Sequence, residues 1–280
     1  MSMARLHKTY SGHPVVRNLD PYNPLDLPPR TIRLKYKPGA VCSIHSPYGN
    51  YFTLTQVSEE PNIWDITGTD PRLGGSWSYA FENDTNIIEV LGGNLSGDGY
   101  PGLFYHCSSL AKVNILKTDH VSSMFRMFCG TAITSIPLFD TSSVYTMYQM
   151  FDGCKNLISI PLFDTSNVED MEGMLAGCES LTSIPLLNTA KVTTMRIMLF
   201  DCINLKVIPL FDTSKVTNME AMASNCFNVE SGALALYQQA SSQTVPPSVY
   251  SNCFRDCGIY TITGAAELAQ IPTSWGGTAP

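Results

Sequence analysis

The sequence predicts an α/β solenoid built from 24-residue units, each with a short parallel strand followed by a short helix. Three observations predict it. Four consecutive segments are copies of one unit, each unit holds an apolar-x-x-Ile-x-Leu strand pattern, and apolar residues at spacings of three and four follow each strand. A unit of this length cannot bury both of its elements alone, so stacking must join their apolar faces into one core.

The regular copies span residues 131–154, 155–178, 179–202 and 203–226. In the second copy, Leu157, Ile160 and Leu162 form the strand pattern of leucine-rich repeats, whose units have about 20–29 residues. The predicted helix follows, with an apolar face of valine and methionine and a capping box of Ser166 and Glu169. Every copy carries two methionines and a final cysteine: Met147, Met150 and Cys154; Met171, Met174 and Cys178; Met195, Met198 and Cys202; Met219, Met222 and Cys226.

Degenerate copies flank the regular ones, so we predict that the leucine-rich repeats occupy residues 76–280, with Trp275 in a terminal cap. Three candidate strands and a turn at Pro38-Gly39 indicate a small β module over residues 31–75. Residues 1–30 are rich in proline and predict an extended arm. Such an arm either docks on a neighbouring subunit, building a homo-oligomer or a larger assembly, or is a disordered tail.

Composition excludes several classes of partner. The net charge of −7 and the pI near 5.2 supply no basic patch for nucleic acid. No stretch reaches the roughly 18–20 consecutive apolar residues that cross a bilayer, so we expect no membrane insertion. Residues 1–14 lack the apolar region of a secretory signal, so we expect a chain that stays in the cytosol, leaves by a route needing no signal, or has lost its leader.

We also expect no enzyme and no cofactor. The five histidines are scattered, and the sequence has no nucleophile elbow, phosphate loop or His-Glu-x-x-His motif. Cys253 and Cys257 lack the partner spacing of a zinc site, and the pair Cys42 and His45 is two ligands short. The columns of cysteine and methionine could be metal or redox series, but we interpret them as core packing.

The candidate binding surface is the other face of the strands. If Leu157, Ile160 and Leu162 point inward, alternation turns Pro161 and Phe163 outward, and stacking builds an exposed aromatic ribbon. The alternatives are that these columns pack on themselves or that the β module covers them. The aspartates that recur beside them either bind cations or accept turn and cap hydrogen bonds. The candidate ligand-binding residues are Phe139, Phe163, Leu187, Phe211, Pro137, Pro161, Pro185, Pro209, Asp140, Asp164 and Asp212.

The unit PLFDTS-x-V-x-x-M-x-x-MF-x-x-C-x-x-L resembles the BspA-type leucine-rich repeats of bacterial surface proteins, over roughly residues 80–275. The resemblance implies adhesion at a cell surface, or recognition of another molecule, without catalysis. The first hypothesis is therefore a recognition and adhesion module that presents its concave strand face to a protein or glycan partner. The alternative is a structural or receptor-binding component of a phage or similar particle, a virion protein anchored by residues 1–30.

Overall fold

The computed structural model describes most of the chain from residue 30 onward. The described residues are 27, 30–42, 44, 52–57, 61–68, 78–95, 99–114 and 116–279. The predicted arm over residues 1–30 lies outside this set except for Leu27 and Arg30, so both interpretations of the arm stay predictions. His45 lies outside it as well.

A mixed six-stranded sheet forms the N-terminal part. Its strands are β1 (Thr31–Tyr36), β2 (Phe52–Gln56), β3 (Ile63–Gly68), β4 (Ile87–Asn94), β5 (Lys112–Val113) and β6 (Leu116–Lys117). The order is β2-β3-β1-β4-β5, and β6 also pairs with β4. Strand β1 is central, and its alternating Ile32, Leu34 and Tyr36 are fully buried.

Strands form at the three predicted positions, but the predicted module is not closed on itself. The chain turns at Pro38-Gly39, where the amide of Ala40 donates to the carbonyl of Lys37 at 3.0 Å. The next strand, β2, nevertheless pairs with β3. Strand β1 pairs antiparallel with β3 and with β4, and β4 pairs in parallel with β5 and β6. The sheet therefore continues into the first repeat units.

The predicted α/β leucine-rich-repeat solenoid is wrong. The described part of the chain has two short α-helices, α1 (Ala233–Ser241) and α2 (Ile262–Leu268), and a 3-10 helix over Thr273–Trp275; all three follow the regular units. Residues 131–226 hold turns and single parallel bridges in place of strand–helix units. The bridges join equivalent residues of successive units: Ser123 to Thr146, Thr146 to Asp170, Asp170 to Thr194, and Thr194 to Asn218.

Turns replace the predicted helix because some backbone amides of this segment bond within their own unit and others bond to carbonyls of the next unit. The amide of Met174 donates to Met171 within its own unit at 3.2 Å, and the amide of Gly173 donates to Arg196 of the next unit at 2.9 Å. Gly173 and Gly177 have φ angles of 61° and 66°, which end any right-handed helical run. The apolar spacing of three thus arises from consecutive turns. The predicted capping box fails too, because the Ser166 amide donates to Asp164.

The left-handed pair recurs in every layer, four residues apart. The pairs are Tyr79 and Asn83, Gly102 and His106, Arg126 and Gly130, Gln149 and Gly153, Gly173 and Gly177, Ile197 and Asp201, Ala221 and Asn225, and Asn252 and Asp256. Most of these residues are not glycine, so the amino-acid sequence does not indicate that they adopt the left-handed conformation. The repeated turn, together with the amides donated to the next unit, stacks the layers in register.

The interior of the stack consists of columns of identical residues. The two methionine columns and the cysteine column are fully buried, in agreement with the core-packing interpretation. Each thiol of the cysteine column also donates to a carbonyl of the preceding unit. The thiol of Cys178, for example, donates to the carbonyl of Phe151 at 3.2 Å. Threonine side chains form a second column, whose hydroxyls donate to the following unit. The hydroxyl of Thr165 donates to the carbonyl of Asn188 at 2.8 Å. Side-chain hydrogen bonds therefore link neighbouring layers from within the core.

Trp275 closes the C-terminal end of the stack. Its ring is 5% exposed and stacks on Tyr250 at 4.3 Å between centroids. The amide of Phe254 donates to the Trp275 carbonyl at 2.9 Å. The apolar side of α1, including Leu236, packs into the same core. Trp275 and α1 thus cover the apolar end of the stack, which water would otherwise reach.

Candidate functional site

The face of the stack that carries the Pro-Leu-Phe-Asp segments differs from the predicted ribbon. Phe139, Phe163, Leu187 and Phe211 are at most 5% exposed, so the predicted outward column is wrong. The residue before each of them is exposed instead, by between 52% and 63%. These residues are Leu138, Leu162, Leu186 and Leu210, and we call them the leucine row.

In two of the four units, a tight turn after the proline accounts for the inversion. The amide of Phe163 donates to the carbonyl of Pro161 at 3.0 Å, and Phe211 bonds to Pro209 in the same way at 2.9 Å. Such a bond closes a three-residue γ-turn with the leucine at its centre. The inward and outward alternation of side chains, counted from Ile160, holds only for an extended chain. The turn interrupts the extended chain and shifts the alternation by one residue. The leucine side chain therefore leaves the core, and the phenylalanine enters it.

The buried column packs on itself, as one of the sequence alternatives proposed. The rings of Phe139 and Phe163 stack with centroids 5.4 Å apart, and Phe163 also lies 6.4 Å from Phe151. Pro137, Pro161, Pro185 and Pro209 are half-buried at the base of the leucine row. Successive layers are joined by parallel bridges, so equivalent leucines recur at about the 4.8 Å spacing of neighbouring strands.

A row of acidic side chains runs beside the leucine row. Asp140, Asp164 and Asp212 are exposed and lie two residues after the leucines. Each aspartate accepts the backbone amide two residues further on, with distances of 3.0 Å from Ser166 to Asp164 and 2.8 Å from Ser214 to Asp212. This confirms the turn-acceptor interpretation.

These turn hydrogen bonds also affect charge. Hydrogen bonds from Ser142 hold the pKa of Asp140 below its usual value, and those from Ser166 and Ser214 do the same for Asp164 and Asp212. The row is therefore negatively charged at neutral pH. Among the described residues, no group of three or more His, Cys, Asp or Glu side chains is arranged to hold a metal ion.

The cysteines offer no reactive site in the described structure. All nine are free and buried. Burial raises the pKa of Cys154 and of Cys202 to about 12, so their thiols stay protonated at neutral pH. The sequence missed the leucine row because its pattern assigned Leu162 to the core. The proline that precedes every member was the available signal.

The profile of a family described as "Mycoplasma protein of unknown function, DUF285" matches residues 100–202 and 156–242, which together span just over half of the chain. No curated protein and no solved structure matches the chain significantly. Within the described ranges, no helix is long and apolar enough to span a membrane.

Proposed function

The chain belongs to the DUF285 family, described as Mycoplasma proteins of unknown function, and from this premise and the surface geometry we propose a non-enzymatic recognition and adhesion module. In this proposal, the leucine row binds a protein partner. The exposure of four equivalent leucines in register is the observation that carries it. The resemblance of the units to BspA-type repeats supports the same role.

The leucine row is a costly surface to leave in water. Full burial of a leucine side chain contributes about 1.5–3 kcal/mol, so covering the exposed part of each member contributes about 1–2 kcal/mol. The exposed leucines contribute little to the packing of the core, because the adjacent column of Phe139, Phe163, Leu187 and Phe211 already fills it. A partner that covers several of them gains a continuous apolar contact.

Charge narrows the class of partner. The acidic row of Asp140, Asp164 and Asp212 lies along one side of the leucine row. It repels an anionic membrane surface and attracts lysine and arginine side chains. The partner we propose is therefore a protein segment with an apolar ridge flanked by basic residues.

The test uses a display library of random peptides selected against the immobilised full chain. We expect enriched peptides to combine apolar and basic residues, and to lose at least tenfold in affinity for a chain carrying Leu162→Ser and Leu186→Ser. The matched control is Ile262→Ser, which removes an apolar side chain that is 92% exposed on α2, away from the row. Peptides that bind the double variant as tightly as the unchanged chain would refute the proposal.

A further inference from the structure

A second cluster of side chains lies on the turn face of the early repeat units. Tyr79, Tyr105, Phe125 and Tyr148 are half-buried there, around the guanidinium of Arg126. We call these five residues the aromatic cluster. The sequence does not reveal it, because most of its members come from degenerate units and no aromatic residue takes their place in the later copies.

The geometry of the aromatic cluster is tightly defined. Phe125 and Tyr148 stack with centroids 4.8 Å apart and planes within 5° of parallel. The Arg126 guanidinium carbon lies 5.2 Å from the Phe125 ring and 5.5 Å from the Tyr148 ring. Arg126 Nε donates to Gln149 Oε1 at 2.6 Å. Cation–π contacts and this hydrogen bond hold the rings in place before any ligand arrives.

An open groove of about 580 Å³, lined by more apolar than polar surface, adjoins the aromatic cluster. His106 connects the two, because its ring stacks on Tyr105 with centroids 4.0 Å apart and also lines the groove. Gly130 and Gly153 form part of the floor. The wall carries hydroxyl, amide and ammonium groups, from Asn83, Thr85, Ser108, Lys155 and Asn156.

The groove exists because glycine occupies the second left-handed position of these layers. Gly130 and Gly153 both have φ near 70°. In two later layers the same position holds Asp201 and Asn225, whose side chains bond to each other at 2.7 Å and fill the space. The glycine floor therefore runs through the layers of Gly130, Gly153 and Gly177 and ends at Asp201.

Aromatic rings beside neutral polar groups match the chemistry of a sugar. The polarised C–H bonds of a pyranose ring are attracted to the negative face of an aromatic ring. Its hydroxyls exchange hydrogen bonds with amides, hydroxyls and imidazole, each of which can donate and accept. Lys155 is paired with Glu179 at 2.8 Å, and Arg126 lies among rings, so the groove does not present the cationic row that nucleic acid requires.

We propose that the aromatic cluster and the adjoining groove form a binding site for a neutral glycan. The ring of Tyr148 contacts the apolar face of one sugar unit, while Asn83, His106 and Asn156 bond to hydroxyls of the next. This site is distinct from the leucine row and does not depend on it.

The experiment applies the full chain to an array of defined oligosaccharides, both neutral and acidic. The neutral set contains glucose, galactose, mannose and N-acetylglucosamine units. We expect binding to neutral glycans, weakened at least tenfold by Tyr148→Ala and by Asn156→Ala. Tyr145→Ala is the matched control, because this tyrosine is 53% exposed in the same unit and belongs to neither cluster nor groove.

Asn156 is exposed, so its substitution reports on the site even if the tyrosine variant folds poorly. The variant with Leu162→Ser and Leu186→Ser should bind glycans unchanged, which separates this test from that of the proposed function. The proposal is overturned if no array glycan binds, if only acidic glycans bind, or if Asn156→Ala leaves binding unaltered.

Discussion

Two adjacent leucines in one unit provide the sharpest test of the structure. Leu186 is 63% exposed and Leu187 is 2% exposed, although the two side chains are chemically identical. Leu187→Ala removes buried methyl groups and leaves a cavity, so we expect the free energy of unfolding to fall by about 2–5 kcal/mol. Leu186→Ala removes atoms that already contact water, so we expect a change within about 1 kcal/mol.

The assay is urea unfolding, followed by tryptophan fluorescence, together with calorimetry. Because stacked units depend on their neighbours, the loss at Leu187 should lower the stability of the adjacent layers as well. Each lost kcal/mol should reduce the melting temperature by roughly 2–4 °C in a chain of this size. Simple strand alternation predicts the reverse order of the two variants. A larger loss for Leu186→Ala than for Leu187→Ala would therefore refute the leucine row.

Three further predictions probe the layers themselves. Gly173→Ala should lower the free energy of unfolding by about 1–2 kcal/mol in urea titrations, because φ is 61° there, whereas a helix at this position would gain stability. Thr165→Val should cost about 1–3 kcal/mol, since the buried Thr165 hydroxyl no longer donates to the carbonyl of Asn188; the exposed Thr182→Val should cost less than about 0.5 kcal/mol. Stability should also fall as pH rises above 9, because the unfolded thiol of Cys154 ionises near pH 9 while the folded one has a pKa of about 12. Each such thiol contributes about 1.4 kcal/mol per pH unit, and a smaller pH slope in Cys154→Ala, measured from urea midpoints under reducing conditions, checks this.

Part of this architecture is readable from the repeat alone. Equivalent residues such as Met171 and Cys178 recur every 24 residues and are buried in every layer, because each unit meets the same neighbours above and below. The aspartate that precedes Thr165 could likewise be assigned to a turn. These assignments depend only on period and residue type, which stacking converts directly into columns.

The candidate sites depend on geometry that the period does not contain. Leu162 and Phe163 are both apolar, and the backbone turn after Pro161 decides which of them enters the core. The aromatic cluster is less predictable still. Tyr105 and Tyr148 belong to different layers, and only the stack brings both rings to Arg126.

The 24-residue period, the stacking of the units, and the methionine and cysteine columns at their centre could all be predicted from the sequence. The tertiary structure decided the conformation within each layer, because the amides of residues such as Gly173 find their acceptors in the next unit. A helix and a series of left-handed turns both place apolar residues three apart along the chain. The two differ in the acceptors of their backbone amides, which lie within the helix in one case and partly in the neighbouring unit in the other. Only the packed neighbouring units provide those outside acceptors.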